Sequence, residues 1–294
     1  MTKPKPKKKS TSPFVILRSA LSLFKVENQQ ILYPFITIVF ISLLTLEILY
    51  FLPRYPLSIF FNTIIGRIWG EAYLHYPMNL SLLPKMFYYV QTAIYLFISG
   101  FLISIIIPMI AAFNNDERVS FKASLKKALP SYIYIFLYTV LILLLLQVFD
   151  SLYGLVIKRA LKIHSTSGIF FMIKKAVFIG APYFQFLYSI FITALFAYIP
   201  ILILLEKKRF LGAFIGNFKM IFRSFWLTIT IVLIPTLFYL PVLLLHDNIG
   251  KLIEITSPEI QIASIIVSIF LTNTINIFVT AAATTYYLYK KEHS

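Results

Sequence analysis

Six stretches of this chain stay apolar for about 20 residues or more, the length that an α-helix needs to cross the roughly 30 Å hydrocarbon core of a bilayer. Backbone amides cannot remain unpaired in lipid, so such stretches predict helices. A transmembrane barrel would show shorter segments of alternating polarity, and the sequence contains none. We therefore predict an all-α integral membrane protein with six spans, at 31–52, 86–113, 130–149, 180–205, 225–245 and 262–289.

The composition agrees with this fold class. Charged residues make up 13% of the chain and the mean hydropathy is +0.84, values that exclude an ordinary water-soluble globule. Cysteine is absent, which excludes disulfides and thiolate metal sites. The first apolar stretch is longer than the h-region of a cleaved signal peptide. We predict a disordered basic tail at 1–12 and a single membrane domain at 13–294.

The positive charge is concentrated on one side of the predicted topology. Six spans place both termini on the same side, and that side holds 18 of the 27 Lys and Arg residues. By the positive-inside rule both termini are predicted to be cytoplasmic, in a bacterial plasma membrane. The net charge of +16 is thereby explained by topology and contacts with lipid phosphates, and no nucleic-acid partner is predicted.

One sequence pattern recurs along the chain. IPMIAAFNNDERVSFKASL (107–125) and IPILILLEKKRFLGAF (199–214) each contain a proline near a span end, then a charged turn, then an amphipathic segment. A weaker copy of the amphipathic segment precedes the first span. Such helices are typical of a membrane surface, with the apolar face toward the lipid. The pattern predicts three units of elbow helix and helical hairpin, with elbow helices at 14–25, 120–129 and 210–223.

Two motifs resemble those of a known group of proteins. FKVENQQILYPFITIV (24–39) and YIPILILLEKKRFLGAFIGNFKMIFRSFW (198–226) are similar to signatures of an uncharacterised family of six-helix bacterial integral membrane proteins. A looser similarity extends to the membrane domain of bacterial glycerophosphodiester phosphodiesterases. The resemblance implies the six-helix fold and brings no established activity.

The last predicted span contains a regular polar stripe. One small polar residue recurs every four positions, with Asn273 beside Asn276: Ser264, Ser268, Thr272, Asn276, Thr280 and Thr284. Stripes of this kind let helices approach closely and hydrogen-bond to one another, which is the first interpretation. The alternative is the wall of a polar path, in which Asn273 and Asn276 near mid-depth would bind a ligand.

Other polar residues in the predicted spans lie toward the outer half, namely Glu47, Gln91, Gln147 and Gln185. Glu47 is the one carboxylate inside a predicted span. It is close to the span end, so it either reaches water or Arg54, or serves as a buried functional acid. The four residues are candidate binding groups.

The outer loop 150–179 contains basic residues on the side that usually avoids them: Lys158, Arg159, Lys162, Lys174 and Lys175. One interpretation is an interfacial helix whose long side chains reach lipid phosphates. The other is a basic rim around an outward vestibule that binds an anionic amphiphile. Residues 151–163 either extend the third span or lie in the interface.

The sequence favours a non-catalytic protein that binds membrane lipids or a membrane protein partner. It contains no catalytic motif and predicts no cofactor. His75, His164 and His246 fall on the outer side without the spacing of a metal site, so no metal is predicted. A transporter of an anionic amphiphile or small solute, using a path along the last span, is the alternative function.

Overall fold

The computed structural model describes residues 12–24, 26–115, 117–163 and 167–292, and every regular element in these ranges is helical. The predicted tail, except for residue 12, and His164 lie outside these ranges. The helices are α1 Pro13–Ser22, α2 Tyr33–Phe51, α3 Ser58–Trp69, α4 Met78–Ile94, α5 Gly100–Asn114, α6 Phe121–Ala128, α7 Tyr132–Leu161, α8 Gly168–Phe196, α9 Ile199–Glu206, α10 Phe210–Leu237, α11 Leu240–Asp247, α12 Ile249–Ile255 and α13 Ile260–Glu292.

Six helical runs in these residues are long and apolar enough to cross a membrane, so the predicted all-α membrane class is confirmed. The runs are Gln29–Phe51, Met78–Asn114, Phe121–Leu161, Gly168–Glu206, Phe210–Leu237 and Ile260–Glu292. Several exceed the predicted spans, because apolar residues continue past the polar positions that we used as boundaries. α7 in particular continues without a break to Leu161, the first of the two alternatives for residues 151–163.

A proline break near the end of the fourth run is bridged by a side chain from the next helix. Pro200 lacks a backbone N–H, and the helix is interrupted between α8 and α9. Asn217 of α10 is fully buried there; its Oδ1 accepts from the Tyr198 amide at 3.1 Å and its Nδ2 donates to the Leu195 carbonyl at 2.8 Å. One carboxamide therefore satisfies a donor and an acceptor that the break leaves unpaired.

α10 bends where the sequence predicts the end of an elbow helix. Ser224 has φ −149° and ψ 33°, which are not helical, so 210–223 and 225–237 are two helical pieces. In the first piece Leu211 is 73% and Phe222 82% exposed, while the face that contains Asn217 is buried. An apolar face left exposed beside an apolar bundle is what an interfacial elbow requires.

The charged turn between α9 and α10 is fixed by contacts with the end of α13. The Glu206 carboxylate forms an ion pair with Lys208 and accepts a hydrogen bond from the Tyr287 hydroxyl. Between them Lys207 has a left-handed backbone with φ 52°, which ends α9. These contacts place Glu206 and Tyr287 at one level of the bundle. We call this end, with α1 and the end of α13, the terminal end, and the end with the α7–α8 connection the hairpin end.

The core is divided unevenly along the bundle. The largest cluster of buried side chains fills the terminal half, where α5, α9 and α13 pack together, and it continues between α7 and α8. The hairpin half contains two further clusters on either side of α13. The first joins α13 to α2, α3 and α4, and the second joins α13 to α8 and α10. α13 is therefore the element that all three clusters share.

Candidate functional site

Thr272 of α13 is exposed in a place where burial is expected. In the hairpin half α13 exposes one face, which contains Ala263, Val267, Phe270 and Thr274. With 3.6 residues per turn, Thr272 lies on the opposite face, between buried Ile269 and buried Ile275. Thr272 is nevertheless exposed. An exposed residue on the face that points into the bundle indicates open space in front of it.

The two buried clusters of the hairpin half lie on either side of this space. Ile265 and Ile269 belong to the cluster with α2, α3 and α4, whereas Ile275 and Val279 belong to the cluster with α8 and α10. Of the neighbouring helices, α4 packs on α2 and α13, and α8 packs on α7 and α10. The hairpin half therefore forms two lobes, and we call the space between them, with Thr272 at its back, the hairpin-side cleft.

The hydroxyl group of Thr272 differs from those of its neighbours on α13. Thr274, Thr280 and Thr284 each donate a hydrogen bond to the carbonyl four residues earlier. Within the described part of the chain, Thr272 has no such hydrogen bond. Its hydroxyl is therefore free to bind a group in the cleft, as both donor and acceptor.

A polar cluster on α7 and α8 lies at nearly the same level as Thr272. The Asp150 carboxylate accepts hydrogen bonds from Gln185 Nε2 at 2.9 Å and from the Tyr188 hydroxyl. Tyr188 precedes Glu206 by 18 residues, about 27 Å of helix rise, and Thr272 precedes Tyr287 by 15 residues, about 22 Å. Glu206 and Tyr287 are in contact and so define one reference level of the bundle. Measured from that level, Tyr188 and Thr272 differ in height by about one helical turn.

Gln185 lies on the side of α8 that faces the bundle interior. α8 contacts α7 through Tyr188 and the second hairpin-half cluster through Phe186. Gln185 lies between these two faces, roughly opposite the exposed Leu187. Its side chain is exposed although it bonds to Asp150. This exposure is consistent with an opening between the lobes.

α4 contributes the polar groups of the opposite lobe. Tyr88 is 60% exposed, and it lies near Tyr188 of the other lobe. One turn further along the same face, Gln91 Nε2 donates to Ser42 Oγ at 2.9 Å. Gln91 Oε1 is buried and has no hydrogen-bond partner among the described residues. This unpaired acceptor lies at the contact between α2 and α4, because the same carboxamide bonds to Ser42 of α2.

The other predicted residues of the last span have different environments. Asn273 is buried, and its Nδ2 donates to the Ile269 carbonyl of its own helix at 2.8 Å. Asn276 is half-buried, one turn from Thr272. Toward the terminal end the polar stripe is packed in the bundle, because Thr284 is fully buried. The stripe therefore combines packing in the terminal half with an open polar position at Thr272.

Glu47 and Gln147 are both exposed and are not part of the polar cluster around Asp150. Arg54 does not pair with Glu47: its Nη1 donates to the Tyr50 carbonyl, and its guanidinium lies 3.6 Å from the centre of the Tyr50 ring.

A pocket of about 10 Å³ beside Arg54 has room for about one water molecule. Asn79 Oδ1, which lines this pocket, has no partner in the described chain.

The five predicted basic residues all lie beyond the polar cluster, on the hairpin formed by α7 and α8. α7 continues 11 residues past Asp150, about 16 Å. Lys174 Nζ donates to the Ile163 carbonyl at 3.2 Å, and the remaining four side chains are exposed: Lys158, Arg159, Lys162 and Lys175. In the described ranges no carboxylate forms an ion pair with any of the five. We call the described residues 151–163 and 167–184 the basic hairpin.

Exposed apolar side chains alternate with these charges along the basic hairpin. On α7 Leu152 and Leu155 precede the cations, and on α8 the tip exposes Ile169, Phe170 and Met172 to between 61% and 69%. Tyr153 fixes the two helices together, because its hydroxyl donates to the Val177 carbonyl at 2.7 Å and its ring stacks on Phe184. The two helices of the basic hairpin therefore present one amphipathic surface.

The structure contains site residues that sequence reasoning missed. Asp150 follows the predicted end of the third span directly, so we assigned it to a loop, and Tyr88 and Tyr188 showed no pattern among the 19 tyrosines of the chain. The one available signal was the spacing of Gln147 and Asp150 on one side of a helix that continues.

Of the three histidines that the sequence places on the outer side, two lie in the described ranges. No group of three potential metal ligands occurs in these ranges.

Comparison with protein-family models, curated proteins and solved structures gives no match to this chain.

Proposed function

We propose that this protein is a non-catalytic multi-pass membrane protein that binds anionic lipids through its basic hairpin. The observation that supports the proposal is the unpaired charge of this segment. Its cations have no carboxylate partner among the described residues, since the nearby Asp150 is engaged by Gln185 and Tyr188. An amphipathic surface with uncompensated cations fits a lipid whose phosphate binds Lys or Arg while its chains contact the apolar side chains.

Removing charge from the basic hairpin should weaken the binding of anionic lipid selectively. Each Lys near a membrane surface contributes about 1 kcal/mol, so Lys158→Gln with Lys162→Gln should lower phosphatidylglycerol retention by about 30-fold. Phosphatidylcholine retention should stay the same. Native mass spectrometry of the protein, released from nanodiscs that contain both lipids, measures the two values in one experiment.

The matched control removes two exposed cations from the short helices α3 and α12, Arg67→Gln with Lys251→Gln. This variant has the same net charge and should retain phosphatidylglycerol nearly as well as the wild type. The proposal fails if wild type and a variant without all five hairpin cations retain the two lipids equally.

The same proposal includes the orientation of the chain and the membrane in which it lies. The terminal end, with the larger share of Lys and Arg, is placed in the cytoplasm, and the basic hairpin is placed on the outer side of a bacterial plasma membrane. The two motifs at 24–39 and 198–226 support membership of the uncharacterised six-helix bacterial family. Lipid is the proposed partner, and nucleic acid is not.

Transport of an amphiphile is the second candidate function, because the hairpin-side cleft reaches into the membrane while the terminal half is filled. Ile105, Ile106, Ile199 and Ile201 are fully buried below the cleft. Such a cleft on one side is what a transporter shows in a state open to that side. A scrambling assay in vesicles, which follows the loss of fluorescent lipid from the outer leaflet, separates the two functions. A protein that only binds lipid leaves the basal rate of this loss unchanged, whereas a transporter raises it.

A further inference from the structure

The bend in α10 brings two cations together at the terminal end of the bundle. Ser224, at the bend, is buried, and its hydroxyl accepts a hydrogen bond from Lys290 Nζ, near the end of α13, at 3.4 Å. Arg223 directly precedes Ser224, is exposed, and lies near Lys290. One cation of the elbow helix and one of α13 therefore lie at the same place. We call Arg223, Ser224 and Lys290 the bend site.

The charge of Arg223 is open to an external anion. Among the described residues no carboxylate forms an ion pair with Arg223, and the carboxylate of the charged turn, Glu206, is already in an ion pair. Glu292 is two positions beyond Lys290, so it points to a different side of α13. The positive charge of Lys290 strengthens the attraction of an anion to Arg223. The bend site therefore favours a negatively charged group beside an exposed guanidinium.

The bend site lies at the depth of lipid phosphates. Tyr287 is at the level of the charged turn, and Lys290 follows it by three residues, about 4.5 Å of helix rise toward the outside of the membrane. The hydrocarbon core is about 30 Å thick and the whole bilayer about 40–45 Å, so each headgroup region extends about 5–8 Å from the core. A cation at the level of Lys290 is thus within the headgroup region.

Exposed aromatic side chains lie on both sides of the bend. Phe222 precedes Arg223, and Trp226, which is 78% exposed, follows it by three residues. Tryptophan is enriched at the boundary between hydrocarbon and headgroups. Toward the start of the elbow helix, Leu211 and Ile215 are exposed as well. An anion held at Arg223 therefore has apolar surface beside it, which fits the hydrocarbon of a lipid and has no use for a soluble phosphate.

We infer that the bend site binds the phosphate of an anionic phospholipid from the leaflet at the terminal end. The Arg223 guanidinium donates to two phosphate oxygens, since its planar fork matches that geometry. Lys290 adds positive charge beside it. The first carbons of the acyl chains contact Phe222 and Trp226. This site lies at the opposite end of the bundle from the basic hairpin, so the inference does not depend on lipid binding there.

The first test uses the wild-type chain in phosphatidylcholine nanodiscs with a small fraction of phosphatidylglycerol that carries a photoreactive diazirine near its glycerol. A phosphatidylcholine with the same diazirine measures bulk lipid contact. On the peptides that contain Trp226 and Lys290, labelling by phosphatidylglycerol should exceed labelling by phosphatidylcholine by about fivefold or more, the effect of one cation. Equal labelling by the two lipids on these peptides contradicts the inference.

Charge removal at the bend site is the second test. Arg223→Gln should lower phosphatidylglycerol labelling of the two peptides by about fivefold, and adding Lys290→Gln should lower it by about 30-fold in total. Arg223→Lys keeps the charge and should stay within about twofold of the wild type. A loss as large with Arg223→Lys as with Arg223→Gln would show a structural role for Arg223 and would overturn the inference.

The matched control removes two cations from another elbow helix. Lys122→Gln with Lys126→Gln changes two exposed residues of α6, whose first amide, at Phe121, donates to Gln30 just before α2. This variant has the same net charge as the double variant at the bend site. It should leave labelling of the peptides with Trp226 and Lys290 unchanged, and equal losses in the two double variants would show an effect of net charge only.

Competition separates a lipid from a soluble phosphate. Unlabelled phosphatidylglycerol should reduce the labelling, while inorganic phosphate should reduce it no more than sodium chloride of the same ionic strength. Stronger displacement by inorganic phosphate would assign the site to a soluble anion and overturn the inference. Removing the five cations of the basic hairpin should lower labelling of the hairpin peptides and leave the bend-site peptides unchanged. Failure of one site is thereby distinguishable from failure of the other.

Discussion

Replacing Asn217 with leucine is expected to lower the free energy of unfolding by about 2–4 kcal/mol, because two buried backbone groups lose the side chain that bonds to them. The carboxamide accepts from the Tyr198 amide and donates to the Leu195 carbonyl across the break before Pro200. Leucine has a similar volume, so packing of the apolar surroundings is largely kept. Unfolding monitored by titration with SDS in mixed micelles measures the difference.

Asn273→Leu is the control for this substitution. Asn273 is also buried on a long helix, but its Nδ2 donates to a carbonyl of its own helix, so no break depends on it. We expect a loss of less than about 1 kcal/mol, in the range of single hydrogen bonds in membrane proteins. Equal losses for the two variants would show that Asn217 does not bridge the break.

Gly100→Val is expected to destabilise the bundle by about 2–3 kcal/mol through overpacking between α5 and α7. A Cβ at this position would lie 2.7 Å from Thr139 Oγ1 and 3.2 Å from the Tyr95 carbonyl oxygen. Thr139 is buried and its hydroxyl donates to the Ile135 carbonyl, so the side chain has no space to move into. Valine would therefore separate the two helices.

Two further variants test this mechanism. Gly154→Val, on α7, should leave stability nearly unchanged, because a Cβ at Gly154 would have no atom of the described residues within 4 Å. Adding Thr139→Ala to Gly100→Val should restore about half of the lost stability, since it removes the atoms in closest contact. Purely additive losses in the double variant would contradict the packing explanation. The same SDS titration measures all three variants.

The membrane fold was predictable because the bilayer has a fixed thickness. A helix that crosses it must remain apolar over about 20 residues, and this requirement is visible in any sequence that meets it. The helix ends were less predictable. α7 continues past Phe149 through Asp150, Lys158 and Arg159, and charged residues in a sequence do not show whether a helix ends or continues beyond the membrane.

An elbow helix at 210–223 was predicted from local patterning, and α10 bends at Ser224, directly after this segment. The bridge by Asn217 was not predicted, although this residue lies within the motif that we compared between repeats. Its role depends on the distance between α8 and α10, which is a tertiary property. The sequence pattern around a polar residue of an amphipathic helix is the same whether its side chain contacts water or bonds to the backbone at a helix break.

The candidate site was predicted in part, and the reason is similar. Gln91, Gln185 and the polar stripe of the last span were identified because polar residues stand out in apolar helices. The exposure of the Thr272 side chain depends on the separation of α4 from α8. Sequence periodicity gives no information on the distance between two helices. Asp150 was missed because a charge is usually taken as the end of a span.

The central position of α13 has a consequence for the order in which this protein is made. α13 contacts α1, α2, α5 and α10, yet of these helices it is the last to leave the ribosome. Until it inserts, the surfaces of the earlier helices that will cover it, including the side of α2 with Ile38 and Val39, must face lipid or a membrane insertase. The packing of the other five runs around α13 is thus formed only when α13 joins them, after they are already in the membrane.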